Sequence, residues 1–354
     1  MVMTKYSLGP IDRVLLIGGG RLLFRLAVWA KESGFQIRVI TAPRHAKEAI
    51  GETDSASLLN ALENADIDTV VVDSIDSEEA RKAVGDLKST FALSFGAAWI
   101  FKRNTLDNVF QGKLLNLHGT RLPQNRGGGG FTWQVIMGNR FGFCVAHKVD
   151  EGVDTGDIVS YKEFIYPPSC RIPADFYRHY QEQNYNFIVS LLESVRVQSR
   201  DFACMLQPEY LSTYWPRLHT PTHGWIDWSW SASEIERFIC AFDDPYPGAR
   251  TLLHGKIVKI KKVFANHQDG YFHPAQAGLV YRVNNDWLCV ACKDGAIVIE
   301  QLIDEDENSL LQNVRTGDAF STPVEYLFKN GERAIYTPSE SAPKFKANKF
   351  SSAR

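Results

Sequence analysis

Asn116, His118 and Asp154 are the residues whose types and spacing could do chemistry. Asn116 and His118 are two apart and follow the apolar pair Leu114-Leu115, so on a strand they share one face. Polar side chains that end a buried strand line ligand sites in α/β folds. Asp154 sits in Val149-Asp150-Glu151-Gly152-Val153-Asp154-Thr155-Gly156-Asp157, where glycines let the backbone turn a carboxylate sharply. An amide, an imidazole and a carboxylate can move an acyl group to an amine without a covalent enzyme intermediate. The amide and imidazole donate to a developing oxyanion, and the carboxylate orients the imidazole or relays the amine proton.

Between these blocks lies the run Gly127-Gly128-Gly129-Gly130, followed by Phe131-Thr132-Trp133. Glycines let backbone amides converge on an anion, but no Lys-Ser/Thr follows, so this is not a P-loop. A mobile loop over an acceptor amine, with Phe131 and Trp133 starting the helix behind it, fits better. Phe141 to Asp150 reads as the strand that hands Asp154 to the site. His147 alternates with Val145 and Val149 and reads as a wall or packing residue that abuts the pocket.

The order Asn116-x-His118, Pro123, Arg126-Gly127, then Asp154-Thr155-Gly156-Asp157-Ile158 resembles the core of the folate-dependent formyltransferases. Thr120 stands where that family has Ser, and Arg121 where it has Leu. The resemblance implies N10-formyltetrahydrofolate as co-substrate, no metal, and catalysis by Asn116, His118 and Asp154. It implies a folate pocket walled by Phe95, Gly96, Ala97, Trp99, Ile100 and Phe101, with Asp150 and Gly152. Arg126, Gly127, Gly128 and Phe131 are implied on the substrate side. Gly224-Trp225-Ile226-Asp227-Trp228 and Pro245-Tyr246-Pro247-Gly248-Ala249 resemble the C-terminal domain shared by methionyl-tRNA formyltransferases and some sugar-amine formyltransferases. The sugar-amine branch is favoured, which implies a nucleotide-linked amino sugar as acceptor and a place in lipopolysaccharide biosynthesis. Methionyl-tRNA is the alternative acceptor.

The elements needed to position these residues are legible. Arg13–Ile17 and Phe35–Ile40 are strands around a helix over Leu22–Ser33, a Rossmann-like βαβ opening. Gly18-Gly19-Gly20 closes the first turn, but Leu23 stands at the third glycine position of a dinucleotide fingerprint. Thr41-Ala42-Pro43-Arg44 then offers no acidic residue, so an NAD-dependent dehydrogenase is the distant alternative. Helices over 56–65, 77–87 and 174–195 and strands over 69–73 and 91–96 complete an α/β domain spanning 10–205. Residues 206–328 read as a smaller α+β unit: a helix over 232–242, then short strands that make an OB-like β-barrel. Residues 329–354 read as a loosely ordered tail.

Charge and cysteine content narrow the partners. A net charge of −2 over 354 residues supplies no global basic field for nucleic acid. Lys256, Lys259, Lys261 and Lys262 make the one basic strand, read as a solvated face. No apolar run reaches membrane-spanning length, and Met1–Pro10 is polar, so no membrane partner and a cytoplasmic location are expected. Scattered cysteines point to reduced thiols, and Cys289-Val290-Ala291-Cys292 reads as buried strand rather than half a zinc site. A homodimer is an open expectation.

Overall fold

Residues 4–51 and 56–346 are described by the computed structural model of the chain. The first domain contains strands β1 (Thr4–Leu8), β2 (Arg13–Gly18), β3 (Gln36–Thr41), β4 (Asp68–Val71), β5 (Thr90–Phe95), β6 (Leu114–His118), β7 (Phe141–Lys148), β8 (Ile158–Ile165) and β9 (Arg200–Cys204). Among the described residues, seven of them form one sheet in the order β4-β3-β2-β5-β6-β7-β8. The pairs from β4 to β6 are parallel, and β7 and β8 join antiparallel. The chain runs outward from β2 to β4, then returns to lay β5 on the other side of β2. The C-terminal ends of β2 and β5 therefore flank a topological switch point, where open α/β sheets bind ligands.

Alternation along β2 explains the two layers of helices. Val14 and Leu16 face one core with α1 (Arg21–Glu32) and the long helix Pro173–Ser194, while Leu15 and Ile17 face another. The next helices are α2 (Leu58–Asn64) and α3 (Glu78–Val84), the latter packing on the second face. Ser77 caps α3, its Oγ accepting from the Ala80 amide at 3.1 Å. The helices α4 (Gly130–Ile136) and α5 (Pro173–Ser194) complete the domain. Strand β1, which the sequence pattern does not announce, pairs antiparallel with β9. Its side chains alternate between exposed and buried over only five residues, too few for polarity alone to mark a strand.

Helix α6 (Ala232–Ala241) opens the C-terminal unit through a capping box between Ser231 and Glu234. Strands β10 (Ala249–Leu253), β11 (Lys256–Asn266), β12 (Val280–Val283), β13 (Leu288–Cys292), β14 (Gly295–Ile303) and β15 (Phe320–Ser321) follow. Their order is β12-β13-β14-β11-β10-β15. The backbone at Gly278–Val280 bonds to residues 317–320 beside β15, which curls the sheet back on itself. This is the expected barrel-like C-terminal domain behind a Rossmann-like N-terminal one. Cys289 and Cys292 are buried within β13. One core joins the two units: Val135 of α4 and Phe176 of α5 pack with Ile235 and Ile239 of α6 and Ile260 of β11.

Two expectations change. Lys259 and Lys261 of β11 are buried rather than solvated. Lys261 Nζ pairs with Asp244 and lies 3.4 Å from Asp243 Oδ1, and it donates to the Tyr246 carbonyl at 3.2 Å. Part of the expected loose tail is folded: β16 (Arg333–Ile335) pairs antiparallel with β17 (Lys344–Lys346). The Arg44 amide donates to the Pro338 carbonyl at 3.2 Å, and the Phe345 ring lies 5.3 Å from that of His219. Buried Ala334 and the rings of Tyr336 and Phe345 dock a segment rich in polar residues. Residues 347–354 lie outside the described part.

Candidate active site

Strand β6 lies next to β5, one strand from the switch point, and its C-terminal end carries Asn116 and His118. Asn116 registers with Ser94 of β5 on one side and with His147 of β7 on the other. The loop after β7 carries Asp154 back over the same strand ends. Asp154 adopts φ +55°, a left-handed conformation that Asp tolerates better than most residues. Gly156 must be glycine, because a Cβ there would come within 2.0 Å of the Lys148 carbonyl oxygen. Gln207 pins the loop by donating to the carbonyls of Asp154 at 3.0 Å and Gly156 at 2.6 Å.

The polar groups converge tightly. Asp154 Oδ2 accepts from the Gly127 amide at 2.9 Å and lies 3.6 Å from His118 Nδ1. Asp154 Oδ1 lies 3.6 Å from His147 Nε2 and 3.5 Å from Asn116 Nδ2. Asn116 Nδ2 is 3.1 Å from His147 Nε2, and His147 Nδ1 is 2.8 Å from the Lys148 carbonyl. A carbonyl only accepts, so His147 carries its proton on Nδ1 and accepts the Asn116 amide proton on Nε2. The same reasoning holds for His118. Its Nε2 lies 2.9 Å from the Asn125 carbonyl and 2.7 Å from Thr120 Oγ1, which itself donates to that carbonyl. His118 thus carries a proton on Nε2 and turns Nδ1 toward Asp154. Burial resists ionisation of Asp154, but a protonated His118, the His147 contacts and the Gly127 amide favour the carboxylate. The carboxyl sits well below the usual carboxylate range.

A cavity of about 810 Å³ opens over this cluster. One end is walled by Phe95, Gly96, Ala97, Trp99, Ile100 and Phe101, with Asp150 and Gly152 opposite. Trp99 is held by its Nε1 bond of 2.9 Å to the Asp73 carbonyl, and Phe101 packs edge-on against Phe110. Ser94 Oγ lies on this wall, buried and without a hydrogen-bond partner. The other end is bounded by Gly127, Gly128 and Phe131, and beyond them by Arg44, His45, Arg217, Tyr246 and Tyr336. The glycine run is packed against residues 214–217: a Cβ at Gly129 would meet the Pro216 carbonyl at 2.4 Å. Arg126 departs from expectation. It does not line the cavity but is buried, its guanidinium 2.6 Å from Glu209 Oε2 and 3.3 Å from Gln207 Oε1. It braces the residue that pins the Asp154 loop.

Alternation along the strand makes His147 a wall residue; its contact with Asn116 shows a closer part. The pairing of β6 with β7 carries that information, since it sets residues 116 and 147 opposite each other. Arg44, His45, Arg217 and Tyr336 form no motif, because they come from separate stretches of the chain. The local signal for them is a cation at the end of β3, where dinucleotide-binding folds put an acid.

The family model described as formyl transferase matches residues 31–191, and the one described as the formyl transferase C-terminal domain matches residues 219–313. The chain belongs to the formyltransferase family. It is an enzyme that transfers formyl groups, and this membership displaces the dehydrogenase reading of Gly18–Gly20. A methionyl-tRNA formyltransferase from Desulfotalea psychrophila is 24% identical over 279 residues, 77% of this chain and 82% of that protein. Among solved structures, the formyltransferase fold is shared with an N-formyltransferase from Helicobacter canadensis in complex with folinic acid and dTDP-3-aminofucose. That match has TM-score 0.63 and 18% identity, covering 82% of this chain and 99% of the other. WlaRD, a sugar 3N-formyl transferase solved with dTDP and 5-N-formyl-THF, aligns with TM-score 0.61 and 17% identity over 84% of this chain and all of its own. In this formyltransferase, no group of three or more His, Cys, Asp or Glu among the described residues could hold a metal ion. Nor is any described helix long and apolar enough to cross a membrane.

Proposed function

We propose that this formyltransferase moves the formyl group of N10-formyltetrahydrofolate to the amine of a nucleotide-linked amino sugar. One observation carries the reading: the cavity that covers the catalytic cluster is also lined by Arg44, Arg217, Tyr246 and Tyr336. A walled cleft with fixed positive charge suits a small anionic acceptor better than a large polyanion lying on a surface. The relatives supply a second acceptor, methionyl-tRNA, which calls for basic surface. The strand richest in lysine turns Lys259 and Lys261 inward, the latter onto Asp243 and Asp244, so that surface is lacking there.

The residues at the donor end fit a folate. Flat apolar walls suit a pteridine face, and the unpartnered Ser94 hydroxyl suits its polar edge. When bound, the formyl-folate supplies the electrophilic formyl carbon. His118 Nδ1 takes the proton that the attacking amine gives up and returns it to the folate nitrogen as the bond from that nitrogen to the formyl carbon breaks, and the imidazolium in between is held by Asp154. Asn116 Nδ2 supports the oxygen that gains charge, its orientation set by His147. Asp154, beside His118 Nδ1 and fixed by the Gly127 amide, has an electrostatic part.

The test is formylation by purified protein, with the formyl-folate donor, of a panel of nucleotide-linked amino sugars and charged initiator tRNA, read by mass shift. A formylated sugar nucleotide is expected. Formylation of methionyl-tRNA alone, weakening steeply with salt, would reverse the assignment.

A further inference from the structure

The C-terminal hairpin, residues 333–346, lies beyond both spans matched by the family models, yet it forms a wall of the acceptor end. We propose that Arg44, Arg217 and the hairpin's Tyr336 make the site that holds the acceptor's diphosphate, so that the hairpin takes part in choosing the acceptor. This rests on the nucleotide-sugar reading above.

Both guanidinium groups lie over the Tyr336 ring, at 5.9 Å for Arg44 and 5.2 Å for Arg217. Neither is in an ion pair among the described residues, and Arg44 Nε is buried without a hydrogen-bond partner. Burial lowers the Arg44 pKa, and the Arg217 charge lowers it further, with Glu48 opposing. Two like charges are therefore gathered beside the Glu48 carboxylate. His45, 4% exposed, turns toward the same space with Nδ1 unpartnered. Its ring packs against Gly19, where a Cβ would lie 2.7 Å from it. Gly19 and Gly20 lead into α1 and border the same cavity.

These features point to one kind of ligand. Two guanidinium forks lining one cavity suit the oxygens of adjacent phosphates. A diphosphate accounts for two cations where a single carboxylate would need one. Cation–π contact with Tyr336 compensates the guanidiniums until an anion arrives. The rings of Tyr336 and Tyr246 offer faces for the nucleoside beyond it. Docking of the hairpin is anchored away from the cavity, through the His223 Nε2 contact with the Glu332 carbonyl at 2.8 Å and the Phe345 ring on His219. Tyr336 can thus be replaced without removing the anchor.

The experiment uses full-length protein and calorimetry. The ligands are UDP, dTDP and GDP, their unphosphorylated nucleosides, and 5-formyltetrahydrofolate as a probe of the donor end. Arg44→Gln and Arg217→Gln should each weaken the preferred nucleoside diphosphate by about tenfold to a hundredfold, the range for losing a charge-assisted hydrogen bond. Tyr336→Ala should weaken both that diphosphate and its nucleoside. Folate affinity should hold in all three, which also shows that they fold. Unchanged diphosphate affinity in both arginine variants of a protein that does formylate a sugar nucleotide would overturn this proposal and leave the function standing. Loss of folate binding along with diphosphate binding would make the residues mere props of the cleft and overturn it as well. A wild-type protein that binds no nucleoside diphosphate would sink the nucleotide-sugar reading itself.

Discussion

His118 Nδ1 stands 3.6 Å from Asp154 Oδ2, while its Nε2 is held 2.9 Å from the Asn125 carbonyl. That arrangement leaves one nitrogen free to gain a proton and places a fixed negative charge beside it. If Asp154 holds the imidazolium, Asp154→Asn keeps shape and removes the charge. Removing one preorganised electrostatic partner costs about a hundredfold to a thousandfold in turnover in other enzymes. His118→Ala, Asn116→Ala and Asp154→Asn should each lose kcat by that order with folate affinity little changed. The His118→Ala, Asp154→Asn double variant should fall little below either single one, because the residues act as a unit. Full turnover in any correctly folded single variant would remove that residue from the mechanism.

His147 is a positioning residue: it touches Asn116 at 3.1 Å and is fixed in turn by the Lys148 carbonyl. His147→Ala should lower kcat by about tenfold to a hundredfold, the scale of a small misplacement, with KM for the donor nearly constant. His147→Gln offers an acceptor oxygen at a similar reach and should recover part of the loss. A purely structural role would instead show as equal losses in both variants together with a lowered thermal midpoint.

The catalytic trio is legible in the sequence because its chemistry is carried by short local spacing: two polar residues on one strand face, and one carboxylate between glycines. Strand β2 and the helices around it are legible for the same reason, through period-two and helical alternation. What the chain hides depends on pairing between distant segments. The contact of Asn116 with His147 follows from the antiparallel register of β6 and β7, which no local pattern states. Lys261 looks solvated because strand alternation does not reveal Asp243 and Asp244, and Lys259 because it does not reveal the Glu305 carbonyl, 3.4 Å from its Nζ. Arg126 matches a motif by position, yet its partners, Gln207 and Glu209, lie some eighty residues on.

The buried Lys261 gives a stability prediction. Its ammonium sits between Asp243, almost fully buried, and Asp244. Asp243 Oδ2 also accepts the Lys262 amide at 2.9 Å, so the carboxylate stays in place when the ammonium is gone. Lys261→Ala should destabilise by roughly 3–5 kcal/mol, because it strands a buried charge. Urea unfolding measures the loss. The double variant with Asp243→Asn should recover part of it, and a double variant no better than Lys261→Ala would show that lost side-chain packing, not the stranded charge, sets the cost.

The acceptor end carries a titratable group that folding perturbs. Burial, with the charges of Arg44 and Arg217, lowers the His45 pKa from 6.5 to about 4. The folded protein therefore binds this proton more weakly than the unfolded chain. As pH falls below 6.5 the unfolded chain takes up the proton first. The stability His45 contributes is then fully present above that value, fades through the interval, and is gone below about 4. Each tenfold difference in proton affinity is worth about 1.4 kcal/mol, so the whole change is roughly 3 kcal/mol. Glu48 faces the same cluster with a raised carboxyl, chiefly from burial, and opposes the trend. Asp154 titrates below the window. His45→Gln removes the titration while keeping a polar side chain, and Glu48, Arg44 and Arg217 stay common to both proteins. Urea unfolding of wild type and variant between about pH 7 and about pH 4.5 should show the wild type losing stability faster on the acid side. Parallel curves would mean that His45 titrates normally in the folded protein, which would place it in contact with solvent rather than on the cavity wall.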